Sequence, residues 1–363
     1  MMTIFNWNND PRWAQVGELI VRNAVDLQPG EKVMIAMSET ASYPLLEAVY
    51  RACVRAGGYP QVQFLSEHLQ QILLEDGNDD QIGWVPRIEE YGMEWADAYI
   101  ALRGAFPLSL HNNVPPDRMS LAQKAHGIIS TKRWRETKWS LIRVPNQNLA
   151  DEAGASLEQV ADMFFNACLI DWPTSKQLWD SWATQLDGGH EVRIEGRNTN
   201  LTFSVQGRRW LAWADGRNMP DGEIATAPVT DTVNGTIWFE NPGVFGGRLF
   251  HDLTLTWDHG TLIDATSSTN QDFLQMVLDT DSGATSIGEF GIGVNPAIDT
   301  FCNDILLDEK ILGTVHIALG RAYPECGGTN ESAIHWDIIK DIRQEGRLMV
   351  DGNTVVEGGK VLL

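Results

Sequence analysis

Near the C-terminal end of the chain, "GGTNESAIHWDII" (327–339) places His335 and Asp337 two residues apart inside an apolar run. Ile334, Trp336, Ile338 and Ile339 suit a buried strand, and residues two apart in a strand share a face. His335 and Asp337 therefore point the same way, either as a buried histidine with its carboxylate partner or as a pair of metal ligands. Four other residues of the second half carry chemistry beside turn signals. Glu223 follows Pro220-Asp221-Gly222 in "NMPDGEIATAPV", a turn that would present it at the mouth of a strand. Glu289 lies among Gly288, Gly291 and Gly293 in "SIGEFGIGVNPAI", where the backbone is tight or lets something approach closely. His316 sits inside the apolar run of "GTVHIALGRAYPECGG", and Tyr323 lies in the loop after it.

Each of these has a plain structural reading when taken alone: a surface turn acid, a solvated acid, a core histidine, a packed aromatic. Taken together, they are three carboxylates, two imidazoles and a phenol within one part of the chain. Carboxylates supply charge and bridging, and imidazoles suit zinc-like ions, so the set fits two divalent cations. Such a pair polarises a scissile carbonyl and lowers the pKa of a bound water. No H-E-x-x-H is present, and no Lys-Ser/Thr follows the glycines around Glu289, which excludes a phosphate loop.

The elements that must position these residues fall into two patterns. The first half alternates strand and helix: "EKVMIAMS" (31–38), the helical "YPLLEAVYRACVRAG" stopped by Gly57-Gly58, "PQVQFLS", "WADAYIALRG", the helical "DRMSLAQKAHGIISTKRWR" and "KWSLIRVPN". That rhythm predicts an α/β domain with a mostly parallel sheet. "MSETASYP" stands where a G-x-G-x-x-G would follow the first strand, so a dinucleotide site is not expected. Two helices follow, "SLEQVADMFFNACLI" and "SKQLWDSWATQL"; in the second, Trp179, Trp182 and Leu186 form a core stripe. Beyond "DGGHEVRIEGRN" the pattern turns β-rich, with "EVRIEG", "NLTFSVQG", "GTIWFEN", "DLTLTWDHG" and "GTLIDATS". The expected division is an N-terminal α/β domain over 1–187 and a β-rich α+β metal-binding domain over 188–363.

Composition narrows the partners. The 363 residues are 43% apolar and 21% charged, ordinary for a globular protein of two domains. A net charge of −22 repels nucleic acid and anionic membrane surfaces, so neither is expected as a partner. No run approaches the roughly 18 apolar residues of a spanning helix. "MMTIFNWNNDPRW" has no secretory n- or h-region, and the four dispersed cysteines form no C-x-x-C; a cytoplasmic location is expected.

The segments "NMPDGEIATAP", "GATSIGEFGIGVNPAI", "ILLDEKILGTVHIALGRAYPECGGTNESAIHWDII" and "FFNACLIDW" closely resemble the aminopeptidase T (thermophilic aminopeptidase) family of dinuclear metallopeptidases. The resemblance runs from about residue 30 to the C-terminal strands and is densest over 205–350. It implies a ligand set of Glu223, Glu289, His316, His335 and Asp337, with Glu289 as catalytic glutamate and Tyr323 as active-site tyrosine. It also implies two divalent ions per chain, zinc or cobalt ahead of manganese or magnesium, small peptides or amides as substrates, and a homodimer enclosing its active sites. On this reading one strand face delivers His335 and Asp337, Gly327-Gly328 gives the sharp approach, and Trp336 and Ile338 pack the other side. Two rivals share the scaffold. A mononuclear iron(II) ring-cleaving dioxygenase would keep the two histidines and one carboxylate and lose both glutamates and the tyrosine. A metal-dependent amidase would use the same metals on a non-peptide amide.

Overall fold

The computed structural model describes residues 7–363, so the first six residues of the segment read for a leader lie outside it. The chain divides into two compact units. One holds the residues up to Leu169 together with Asp215–Asp221; the other holds Ile170–Ala214 and Gly222–Leu363.

In the first unit the expected alternation is present. Strands Lys32–Met37, Tyr59–Phe64, Ala98–Gly104 and Lys138–Val144 pair in parallel, in the order 59–64, 32–37, 98–104, 138–144. The helix Tyr43–Arg55 carries Pro44 in its first turn, where no amide partner is lost, and the backbone leaves it at Gly57 in the left-handed region. The helix Leu157–Cys168 opens on a reciprocal capping box between Ser156 and Gln159, which satisfies two otherwise orphaned amides.

The boundary differs from the expected 187/188. The helix Trp172–Leu186, started by Asp171 accepting the Thr174 amide, sends Trp179, Ala183 and Leu186 into the core of the second unit. The short strand Asn218–Met219 pairs in parallel with Lys138–Val144 as the fifth strand of the first unit's sheet. Periodicity reveals that a segment is a helix or a strand, but it does not reveal which core receives the apolar face.

The second unit is β-rich, as expected. An eight-stranded antiparallel sheet runs in the order 261–266, 254–258, 234–238, 199–204, 191–196, 346–350, 353–357, 360–361. A second sheet has five antiparallel strands, here numbered β1 (Leu211–Trp213), β2 (Glu223–Thr226), β3 (Ile287–Gly293), β4 (Val315–Gly320) and β5 (His335–Lys340). Their spatial order is β5-β4-β3-β2-β1. One face of this sheet, with Ile224, Phe290, Ile292, Ile317, Leu319, Trp336 and Ile338, joins the apolar core shared with the larger sheet. Trp336 packs there on Phe245 and Phe250, with ring centroids 5.4 and 5.0 Å apart. The expected packing of Trp336 and Ile338 away from the histidine face is what the structure has.

Candidate metal centre

Strand register places the five candidate ligands on the other face of the same sheet. Glu289 lies opposite Ala318, which lies opposite Asp337; Gly291 lies opposite His316; Gly293 lies opposite Glu223; and Gly320 lies opposite His335. Directly paired residues of antiparallel strands project to the same side. The acids and imidazoles thus alternate with glycine and alanine across the sheet, and the small residues leave room for the large ones. Gly291 shows why: a Cβ on it would lie 2.1 Å from His316 Nε2, so the imidazole lies across a strand that must be bare there.

The ligand atoms converge. Three triads, Glu223–Glu289–His316, Glu289–His335–Asp337 and Glu309–His316–Asp337, each hold their donor atoms within 4.8 Å of one another. His335 Nε2 lies 3.2 Å from Glu289 Oε2 and 3.4 Å from Asp337 Oδ2. Its Nδ1 is 2.8 Å from the Arg321 carbonyl, which can only accept, so Nδ1 carries a proton, and loss of the Nε2 proton would present that lone pair to an ion. His316 is 1% exposed, and neither of its ring nitrogens has a hydrogen-bond partner, although Nε2 is 3.2 Å from Glu223 Oε2. A fully buried imidazole with no hydrogen bond is costly unless something else engages it. A divalent ion held by carboxylates and imidazoles fits that requirement.

Electrostatics point the same way. Burial pushes the Glu289 carboxyl above its usual range, against the pull of His335. Burial also opposes ionisation of Glu223 and Asp337, but Lys310 with His316 holds the first below its usual range and His335 with His316 holds the second there. Burial disfavours charge on His316, yet Glu223, Glu309 and Asp337 lift it to about 9. His335 is raised by Asp337 and Glu289, again against burial. The buried carboxylates thus lean on the imidazoles and Lys310 for positive charge, a role that a dication would take over.

Tyr323 lies at the edge of this face, its ring 5.1 Å from that of His335 and 6.1 Å from that of Trp213. Burial and the nearby carboxylates raise its phenol pKa, so it stays a hydrogen-bond donor at neutral pH. The glycine pair serves this loop and not the entry to β5. Gly327, at φ +82°, ends the short turn Pro324–Cys326, and the Gly328 amide donates to the Tyr323 carbonyl at 3.1 Å. The approach to β5 is made by residues 329–334, which are pinned by Asp281 and Asn330.

Two residues of the cluster escaped the reading of the sequence. Glu309 and Lys310 follow the single helical turn Ile305–Asp308 and are buried, Lys310 completely. The Lys310 ammonium bonds the Glu309 carboxylate and lies 3.4 Å from Glu223 Oε1. Burial, with Glu223 and Asp337 nearby, pushes Glu309 up to about 8 despite Lys310.

A buried sheet face of carboxylates and imidazoles with a phenol at its rim is the donor set of a metal-dependent hydrolase. The chain matches the thermophilic metalloprotease (M29) family over residues 9–359 and belongs to that family. It is 30% identical over 390 residues to aminopeptidase AmpS of Bacillus subtilis (strain 168), across 92% of this chain and 94% of that protein. It is 25% identical over 377 residues to aminopeptidase 2 of Geobacillus stearothermophilus, across 89% and 90%. Among solved structures, wild-type AmpT from Thermus thermophilus shares the fold with a TM-score of 0.84, at 22% identity, over 97% of this chain and 99% of that one. None of this supports the iron dioxygenase, and both glutamates and the tyrosine which that reading would lose are in place.

Proposed function

We propose that this protein is an aminopeptidase that removes N-terminal residues from small peptides with two divalent ions per chain, zinc or cobalt ahead of manganese or magnesium. The observation that carries the reading is the buried sheet face on which Glu223, Glu289, His316, His335 and Asp337 converge, with His316 lacking any hydrogen bond. These five side chains would hold the ions, which when bound would polarise the scissile carbonyl and acidify a water. Glu289 accepts the water proton and passes it to the leaving amine, the two roles of one carboxylate whose pKa burial has raised. Tyr323, kept protonated, donates a hydrogen bond to the oxyanion as it develops. The aminopeptidase names of the relatives support the substrate class.

The same reading includes a homodimer, a cytoplasmic location and no nucleic-acid or membrane partner. The four free, buried cysteines fit a reducing compartment. No helix among the described residues is long and apolar enough to cross a membrane, and the charge of −22 disfavours polyanions. The test is metal analysis of purified protein beside hydrolysis of an aminoacyl-anilide panel, with N-acetylated substrates as controls. Two divalent ions per chain, loss of activity on chelation and no cleavage of blocked substrates are expected. Activity indifferent to chelation, or fully active protein holding a single iron, would overturn the reading.

A further inference from the structure

The edge strand of the charged sheet carries a large side chain to which the mechanism above gives no role. In β1, Ala212 and Ala214 pack against the apolar core, so Leu211 and Trp213 turn to the other face. Register fixes their neighbours: Trp213 lies opposite Glu223, and Leu211 lies opposite Ala225. Directly paired residues of antiparallel strands share a side, so the Trp213 indole stands next to the Glu223 carboxylate on the face that gathers the ligands. The Tyr323 ring comes up beside the indole, with 6.1 Å between centroids and a tilt of 54°. Leu211, Trp213 and Tyr323 are all half-buried, so part of each stays open to a molecule that enters the site. An apolar wall beside a charged centre orients a ligand whose polar end the centre holds.

Resting on the aminopeptidase reading above, we propose that Trp213, with Leu211 and the Tyr323 ring, receives the side chain of the substrate's N-terminal residue and selects large apolar residues such as leucine and phenylalanine. The direction follows from the roles already assigned. Tyr323 donates to the oxygen of the scissile carbonyl, which belongs to the N-terminal residue, and Trp213 packs beside Tyr323. Glu289 protonates the leaving amine from β3, and β2 separates β3 from β1. The indole therefore stands on the side of the first residue, away from the leaving amine. Its face takes aliphatic or aromatic carbons and gains nothing from glycine.

The test is hydrolysis of glycyl-, leucyl- and phenylalanyl-p-nitroanilides by wild type and by Trp213→Ala, Trp213→Gln and Trp213→Phe, each loaded with the same metal. The readout is the ratio of kcat/KM for the leucyl or phenylalanyl substrate to that for the glycyl one. Incomplete folding or metal loading lowers both values alike and cancels in the ratio. Wild type should favour the apolar substrates. Trp213→Ala should lower the ratio by at least about 10-fold, the scale on which a hydrophobic pocket senses apolar groups. Trp213→Gln, a polar change at a half-exposed position, should do the same and carries the test if the alanine variant does not fold. Trp213→Phe keeps an aromatic face and should hold the ratio within a few-fold of wild type. Dipeptides with alanine first and glycine or leucine second report the leaving side, and their ratio should not move. An unchanged ratio for the anilides in Trp213→Ala or Trp213→Gln, or a change confined to the dipeptides, would overturn the proposal. Wild type that cleaves the anilides without favouring the apolar ones would overturn it too, while leaving the aminopeptidase reading intact. Wild type that cleaves none of them would overturn that reading itself, and this inference with it.

Discussion

Glu289 and Phe290 are neighbours in β3 and belong to opposite faces of one sheet. Phe290 is fully buried against Phe203 and Trp210, with ring centroids 5.2 and 5.9 Å apart, in the apolar core. Glu289 is almost as buried, but its neighbours are His335 and further acids. Equal burial has opposite consequences on the two faces. Apolar surface removed from water stabilises the fold by roughly 25 cal/mol per Å², whereas a carboxylate taken out of water destabilises it unless it is paired. The sheet is held by one face so that the other can keep charge where an ion and a substrate will use it.

That contrast is broken or sharpened by substitution at these two adjacent residues. Glu289→Gln should lower kcat by at least about 10²–10⁴-fold, the contribution of general acid–base catalysis, while the metal-free protein melts near the wild-type temperature. Phe290→Ala should do the reverse. It should lower stability by about 3–5 kcal/mol, the usual loss for emptying a buried aromatic site, and leave kcat per folded molecule near wild type at low temperature. Turnover assays with measured metal content and urea melts of both variants decide the matter. If Glu289→Gln unfolds as readily as Phe290→Ala, or turns over normally with its metals bound, the division between the faces is wrong.

Tyr323 belongs to the charged face by chemistry and lies in the loop at its edge, beside His335. Tyr323→Phe keeps the ring that packs beside His335 and Trp213 and removes one hydroxyl. Its kcat should fall by about 10²–10³-fold, as for the loss of one oxyanion donor, with KM little changed and metal content normal. A kcat within a few-fold of wild type would assign the residue to packing.

How much of this was legible depends on whether a signal is local. His335 and Asp337 could be placed on one face from the two-residue period alone, and Trp336 and Ile338 on the other. The parallel sheet of the first unit was legible because strand and helix alternate with clear stops such as Gly57-Gly58. Glu309 and Lys310 were not, because "LLDEKILG" has the composition of a solvated turn. Their burial follows from Glu223, His316 and Asp337, which arrive from distant parts of the sequence. The helices Glu67–Asp76, Asp79–Ile82 and Arg87–Trp95 were missed because short acidic segments with exposed Ile72 and Ile88 give weak periodicity. Gly327-Gly328 is legible as a turn, but that turn closes the Tyr323 loop and does not lead into β5, since a glycine pair marks a reversal and not its purpose.

The smallest expected effect lies at Asp281, which holds the approach to the charged face. Its Oδ2 accepts from the Ala333 amide at 2.7 Å and from Ser332 Oγ at 3.1 Å, and its Oδ1 accepts from the Gly283 amide at 2.9 Å. These bonds tie the segment before β5 to the turn before β3. The Ala333 amide, ahead of the other donors, holds the carboxyl below its usual range. A depressed folded-state pKa means that the stabilisation is fully present above the unfolded value, roughly 3.9, and is lost as pH falls through the folded value. Asp281→Asn removes the charge and one acceptor oxygen, so it should lower stability by about 1 kcal/mol at pH 7. The difference from wild type should shrink as the pH is lowered toward the limit at which wild type still melts cooperatively, because protonated aspartic acid and asparagine then offer similar acceptors. Paired urea melts over that range measure it. A gap that stays constant with pH would mean that the loop is held by shape and neutral hydrogen bonds, and that charge on Asp281 contributes nothing to placing His335 and Asp337.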